Sequence, residues 1–197
     1  MTQRTKVAVL ISGRGSNMEA LVRAARAADC PFEIALVLAN KPGAGGLATA
    51  ATAGIEPLCV DQRDFGKDRQ AHERAIDAAL RARGIQVIAL AGYMRILTPF
   101  LVDAWAGRML NIHPSLLPHY PGLDTHARAL AAGDQEAGCT VHLVTAGVDE
   151  GPILGQARVP ILPGDDEPAV ALRVLAQEHR LYPETLATFC RGLEQGA

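Results

Sequence analysis

The chain has 197 residues, 19 Lys and Arg against 21 Asp and Glu, a formal net charge of -2, and 49% hydrophobic but only 4% aromatic residues. That length fits one domain, 1–197, with a full core, and the near-neutral balance argues against nucleic acid as a partner, which calls for a basic surface. No stretch approaches the roughly 18 apolar residues of a membrane span, and the first apolar run leads into a Gly-rich turn without a cleavage-site pattern. The expectation is a cytoplasmic protein with no membrane partner. Cys30, Cys59, Cys139 and Cys190 are far apart with no C-x-x-C pair, which reads as free thiols in a reducing compartment.

In chain order, residues 7–11 form a continuous apolar, β-branched run closed by Ser12 to Gly15, the pattern of a strand buried on both faces. Runs at 34–39, 58–60, 87–91 and 109–113 repeat it, and between them the stretches 17–28, 44–53, 65–83 and 99–106 have helical spacing. Strands alternating with helices predict βαβ crossovers and a doubly wound, mostly parallel sheet with helices on both faces, a Rossmann-like α/β fold. Segment 114–125 is a long loop carrying Pro114, Pro118, Pro121 and Gly122, and long loops in compact units are commonly functional. Strands over 139–144 and 153–161 are joined too tightly for a crossover helix, predicting an antiparallel C-terminal addition. A last helix spans 168–190 and is expected to be interrupted at Pro183.

The first candidate site is Ser12-Gly13-Arg14-Gly15-Ser16-Asn17, between a strand and a helix. Helix N-terminal N–H groups bind anions, and glycines allow close approach of a phosphate. Met18 stands where a third glycine of a dinucleotide loop would be, and Asn40 and Lys41 end the second strand in place of a ribose-binding acid, so a single phosphate fits better than a dinucleotide. A plain tight turn with Ser16 or Asn17 capping the helix is equally compatible. The second candidate is the pair Asn111 and His113, two apart in an extended segment and so on one face. Pro114 ends the strand, and in an open parallel sheet the carboxyl ends of strands are where ligands bind. An amide donor beside an imidazole suits acyl transfer, although both residues could also serve as hydrogen-bonded core groups. Asp149 is the third candidate; it could shape a turn or orient and charge an imidazole. His113, His119 and His126 lack metal-ligand spacing, so no metal is expected.

The phrases A-G-Y-M-R-I-L at 91–97 and N-I-H-P-S-L-L-P at 111–118 resemble the folate-dependent formyltransferases. I-S-G-R-G-S-N at 11–17, Y-P-G at 120–122, V-D-E-G-P at 148–152 and Q-E-H at 177–179 resemble the branch whose acceptor is glycinamide ribonucleotide. The resemblance runs from the first strand to about Pro183. It implies formyl transfer from 10-formyltetrahydrofolate to the amine of that ribonucleotide in purine synthesis, with Asn111, His113 and Asp149 catalytic. It also implies that Gly15, Ser16, Asn17, Gln177 and Glu178 bind the ribonucleotide. The folate would be bound by Arg69, Met94, Arg95, Ile96, Leu97, Asn111, Thr145, Ala146, Gly147, Val148 and Asp149, in a monomer or homodimer. Asp124 departs from the histidine common in the relatives. The alternatives are a deformylase that passes the formyl group to water, a formyltransferase acting on tRNA or sugar nucleotides, and a non-catalytic folate- or nucleotide-binding protein. The length is expected to leave no room for the extra domains of the first two.

Overall fold

The structure is a computed structural model that describes residues 4–195. Seven strands form one sheet in the order β3-β2-β1-β4-β5-β6-β7. The parallel part comprises β1 (Thr5–Ile11), β2 (Phe32–Ala39), β3 (Glu56–Cys59), β4 (Val87–Leu90) and β5 (Met109–His113). Antiparallel β6 (Glu136–Leu143) and β7 (Ile153–Pro160) extend it beyond β5. The fold is therefore the doubly wound sheet with an antiparallel C-terminal addition that the alternation of strands and helices predicts.

The continuous apolar runs are explained by two cores, one on each face of the sheet. Val7, Val9 and Ile11 of β1 pack against Met18 and Leu21 of α1 (Ser16–Ala25) and against Val170, Val174 and Leu186 of α6 (Glu167–Gln195). The alternate residues Ala8 and Leu10 pack against Ile76 and Leu80 of α3 (Arg69–Ala82) and Leu101 of α4 (Pro99–Ala104). A strand with both faces covered reads as a near-continuous apolar run, because each face meets a core. The remaining helices are α2 (Gly45–Thr52) and α5 (Thr125–Ala132). Among the described residues, no helix is long and apolar enough to cross a membrane.

Three elements depart from the expectations. The helix predicted over 65–83 begins only at Arg69, because Gln62–Phe65 is a separate 3-10 turn closed by Gly66 at φ 54°. Asp68 then caps α3 by accepting from the Ala71 N–H at 2.8 Å. Helix α5 was not anticipated; it follows directly on the Pro-rich loop. The break expected at Pro183 does not occur, for α6 runs through it. A proline inside a helix costs about 3 kcal/mol. Each large apolar side chain fully buried returns roughly 1.5–3 kcal/mol, and Tyr182 and Leu186, on either side of Pro183, are both fully buried. The Tyr182 hydroxyl also faces the Leu90 and Leu110 carbonyls at 3.0 and 3.2 Å. It thus ties the helix to β4 and β5 next to the proline.

The order of the strands decides where a ligand can sit. The order in which strands are added changes side at β1, with β2 and β3 to one side and β4 and β5 to the other, all parallel, and a crevice opens there at the carboxyl ends of the strands. The loops after β1, β4 and β5 converge on it.

Candidate active site

The loop after β1 enters α1 through Gly15, which takes φ 80° and offers no side chain as a cap. Neither Ser16 nor Asn17 caps the helix, so the turn is not the simple capped one. The loop also rests against the start of α2, where a Cβ on Gly46 would lie 2.4 Å from Ile11 Cδ1. Asn17 points across the crevice instead, and its Nδ2 donates to Glu178 Oε2 of α6 at 2.8 Å. The Asn17 Oδ1 is buried with no hydrogen-bond partner. Glu178 is itself buried, and that burial pushes its carboxyl above the ordinary range against the opposing effect of the single Asn17 donor.

At the end of β5, the loop of 145–152 brings Asp149 back over the strand. Gly151 makes this return possible, since a Cβ there would fall 1.7 Å from the Leu143 carbonyl oxygen. Asp149 Oδ2 lies 3.2 Å from His113 Nδ1 and accepts from the Gly122 N–H at 2.9 Å. Its other oxygen lies 3.5 Å from His142 Nε2. Burial alone would raise the Asp149 carboxyl; the His142 and Gly122 hydrogen bonds and the nearby His113 ring together hold it below the usual value of 3.8. The far nitrogen of His113, Nε2, is 2.9 Å from the Tyr120 carbonyl. Both ring nitrogens thus face acceptors, and only a doubly protonated ring donates to both.

His142 is the residue of this cluster that the sequence does not single out. Its only signal was a histidine in an alternating strand, and its role depends on the register that sets Asn111 opposite His142. Its Nδ1 is 2.9 Å from the Leu143 carbonyl and its Nε2 is 3.2 Å from Asn111 Nδ2. As a neutral ring with the proton on Nδ1 it accepts from Asn111, fixing that amide and leaving the second N–H of Asn111 for a ligand oxygen. As a charged ring it donates to Asp149. One nitrogen therefore stands between the Asn111 amide and the Asp149 carboxylate.

Tyr120, Asp124 and Asp149 all have φ near 55° without being glycine. Aspartate tolerates this left-handed region, whereas tyrosine rarely adopts it. All three belong to the two loops that enclose His113, where such conformations concentrate in functional sites.

The Asn111, His113, His142 and Asp149 cluster lines a cavity of about 750 Å³. Asn111, His113 and Asp149 are in its wall with Asn17 and Glu178, and Met94, Arg95, Ile96 and Leu97 form the side after β4 together with residues 145–148. Met94 and Ile96 are 63% and 67% exposed, an apolar lip suited to a flat ring. Leu123, Asp124 and His126 from the Pro-rich loop and α5, and Val174 and Leu175 from α6, complete it. Gly15, Ser16, Gln177 and Arg69 are not in this wall. Gly15 and Ser16 precede Asn17 at the α1 N-terminus, and Gln177 precedes Glu178 on α6. Arg69 approaches the rim through Ile96, whose carbonyl accepts from its Nη1 at 3.4 Å.

Residues 5–186 match the formyl transferase family. The chain belongs to that family. It is 44% identical over 186 residues to the phosphoribosylglycinamide formyltransferase of Escherichia coli, covering 94% of this chain and 87% of that protein. It is also 47% identical over 192 residues to the trifunctional purine biosynthetic protein adenosine-3 of Drosophila melanogaster, covering 96% of this chain but spanning only 14% of that larger protein. The crystal structure of phosphoribosylglycinamide formyltransferase from Brucella melitensis superposes with a TM-score of 0.92 at 55% identity, covering 95% of this chain and 96% of that one. The parallel sheet and its antiparallel extension are thus the formyl transferase architecture.

Proposed function

We propose that this formyl transferase moves the formyl group from N10 of 10-formyltetrahydrofolate to the amine of glycinamide ribonucleotide, a step of purine synthesis. The observation that carries the reading is the joining of Asn111, His113 and Asp149 in the wall of one cavity, with an apolar lip on one side and the Asn17–Glu178 pair on the other. The identity to phosphoribosylglycinamide formyltransferases over most of the chain supports the choice of acceptor.

In this reading the neutral amine attacks the formyl carbon and a new C–N bond forms. The carbonyl oxygen becomes an oxyanion, the bond to N10 then breaks, and the proton released by the amine ends on N10. Asn111 donates its second N–H to the oxyanion. His113, oriented by Asp149 at its Nδ1, turns its Nε2 from the Tyr120 carbonyl toward the same oxygen and takes part in the proton transfer. The pterin lies along Met94 to Leu97 and residues 145–149, with Arg69 at the rim. The ribonucleotide lies between the α1 N-terminus, at Gly15, Ser16 and Asn17, and the turn of α6 that carries Gln177 and Glu178. The reaction needs no metal, the chain acts as one formyl-transfer domain, and it works in the cytoplasm.

The deciding experiment is an acceptor-dependent assay in the presence of a chelator. Tetrahydrofolate should appear only when both substrates are supplied. Release of formate without the ribonucleotide, and no transfer with it, would instead assign hydrolysis of the folate.

A further inference from the structure

The cavity wall after β4 is held from behind by residues that line no part of the cavity. Ser12, at the opening of the loop after β1, is buried, and its Oγ accepts from the Met94 N–H at 2.8 Å. Having accepted, the hydroxyl donates to Asn40 Oδ1 at 2.6 Å. Asn40, fully buried at the end of β2, passes the chain on from its Nδ2 to Gln62 Oε1 at 2.8 Å. The same Gln62 oxygen accepts from Arg95 Nη1 at 2.7 Å. Its backbone is also fixed, because the Gln62 N–H donates to the Asn40 carbonyl at 3.1 Å.

Every bond in this chain has a defined direction. The single Ser12 proton goes to Asn40, whose Oδ1 can only accept, while the Ser12 oxygen accepts from Met94. That sets the Asn40 amide with its N–H toward Gln62, and a buried amide cannot turn over without losing both partners. Gln62 must then present its oxygen, which is the only end of its amide that can receive Arg95. Arg95 has no acidic partner among the ion pairs of the described residues, so this neutral acceptor orients its guanidinium and leaves the charge for a ligand. A long side chain at a cavity mouth otherwise loses rotamer freedom when it engages a ligand.

We propose that Gln62 is a positioning residue for the folate side of the site: anchored through Asn40 to Ser12, it holds the Arg95 guanidinium in its ligand-binding orientation. This rests on the proposed function, which assigns that side of the cavity to the folate. Gln62→Leu removes the acceptor at a half-buried position while preserving bulk.

The test is a titration of the full-length chain with tetrahydrofolate, alongside steady-state kinetics, for wild type, Gln62→Leu, Arg95→Met and the double variant. The expected result for Gln62→Leu is roughly a tenfold weaker tetrahydrofolate affinity, with kcat and the ribonucleotide KM within about twofold of wild type. In the Arg95→Met background the same change should have no further effect on affinity, a non-additivity that general loosening of the fold does not produce. Equal losses from Gln62→Leu with and without Arg95 overturn the proposal, as does an unchanged affinity in Gln62→Leu. Wild-type protein that transfers the formyl group while Gln62→Leu binds normally overturns this inference alone. Wild-type protein that neither binds tetrahydrofolate nor transfers the group overturns the functional reading with it.

Discussion

The half-buried Asp149 and the buried Glu178 are two carboxylates in the wall of one cavity, yet their surroundings drive them in opposite directions. Asp149 is 12% exposed as a side chain and faces two imidazoles and a backbone N–H; together these donors outweigh its burial and hold it ionised. Glu178 has the single amide of Asn17, which does not offset burial. A carboxylate whose partners are all supplied by the protein is ready to influence a neighbour, here His113. One left with a deficit of donors gains most from a ligand that brings its own. Under the proposed function, that difference separates a catalytic end of the cavity from a binding end.

The largest expected effect tests the catalytic end. Asp149→Asn keeps the shape but removes the charge facing His113, and kcat should fall by about 10²- to 10³-fold with the ribonucleotide KM within about twofold. A loss confined to KM would erase the distinction between the two carboxylates. His142→Leu removes the ring that fixes Asn111 and supports Asp149, and we expect kcat to fall about tenfold with circular dichroism unchanged. At the binding end, Glu178→Gln should raise the ribonucleotide KM about tenfold and leave kcat nearly intact, read in the same assay.

Smaller effects concern stability and its pH dependence. The folded-state value of Glu178 is raised, so its contribution is fully present below the ordinary value of 4.5 and is lost as the pH rises through the raised folded value. Glu178→Gln should therefore melt about 2–4 °C above wild type at neutral pH, and the gap should close in scans below pH 4.5. Asp149 has the opposite sign. Its folded-state value is depressed, so its contribution is present above 3.8 and is lost as the pH falls through the lower folded value. Asp149→Asn should accordingly be less stable than wild type at neutral pH and approach it in strong acid. Parallel pH profiles for the two variants would show that the two environments do not differ as described.

The parallel strands were legible because burial on both faces demands uninterrupted apolar runs, and β5 was found to the residue at Met109–His113. Asn111 and His113 followed from the same regularity, since a strand returns every second side chain to one face. Helix α5 was missed because its short Ala-rich segment stands directly after a Pro-rich loop. Pro183 misled because local propensity favours a break, whereas Tyr182 and Leu186 gain enough from packing to keep α6 continuous. The Ser12–Asn40–Gln62–Arg95 chain left no trace in the sequence, because its members are separated by three connections and meet only across the sheet.

The sequence by itself determined the alternation of strands and helices, the Gly-rich turn, the Asn111 and His113 pair and the presence of an aspartate in the turn after β6. These depend on period, on turn chemistry and on the short reach of neighbouring residues. Tertiary structure decided which groups touch: that Asp149 meets both His113 and His142, that Asn17 meets Glu178, and that the Tyr120 carbonyl occupies the outer nitrogen of His113. Those contacts come from strand order, antiparallel register and loop closure, and a difference of one residue in register would face His142 away from Asn111.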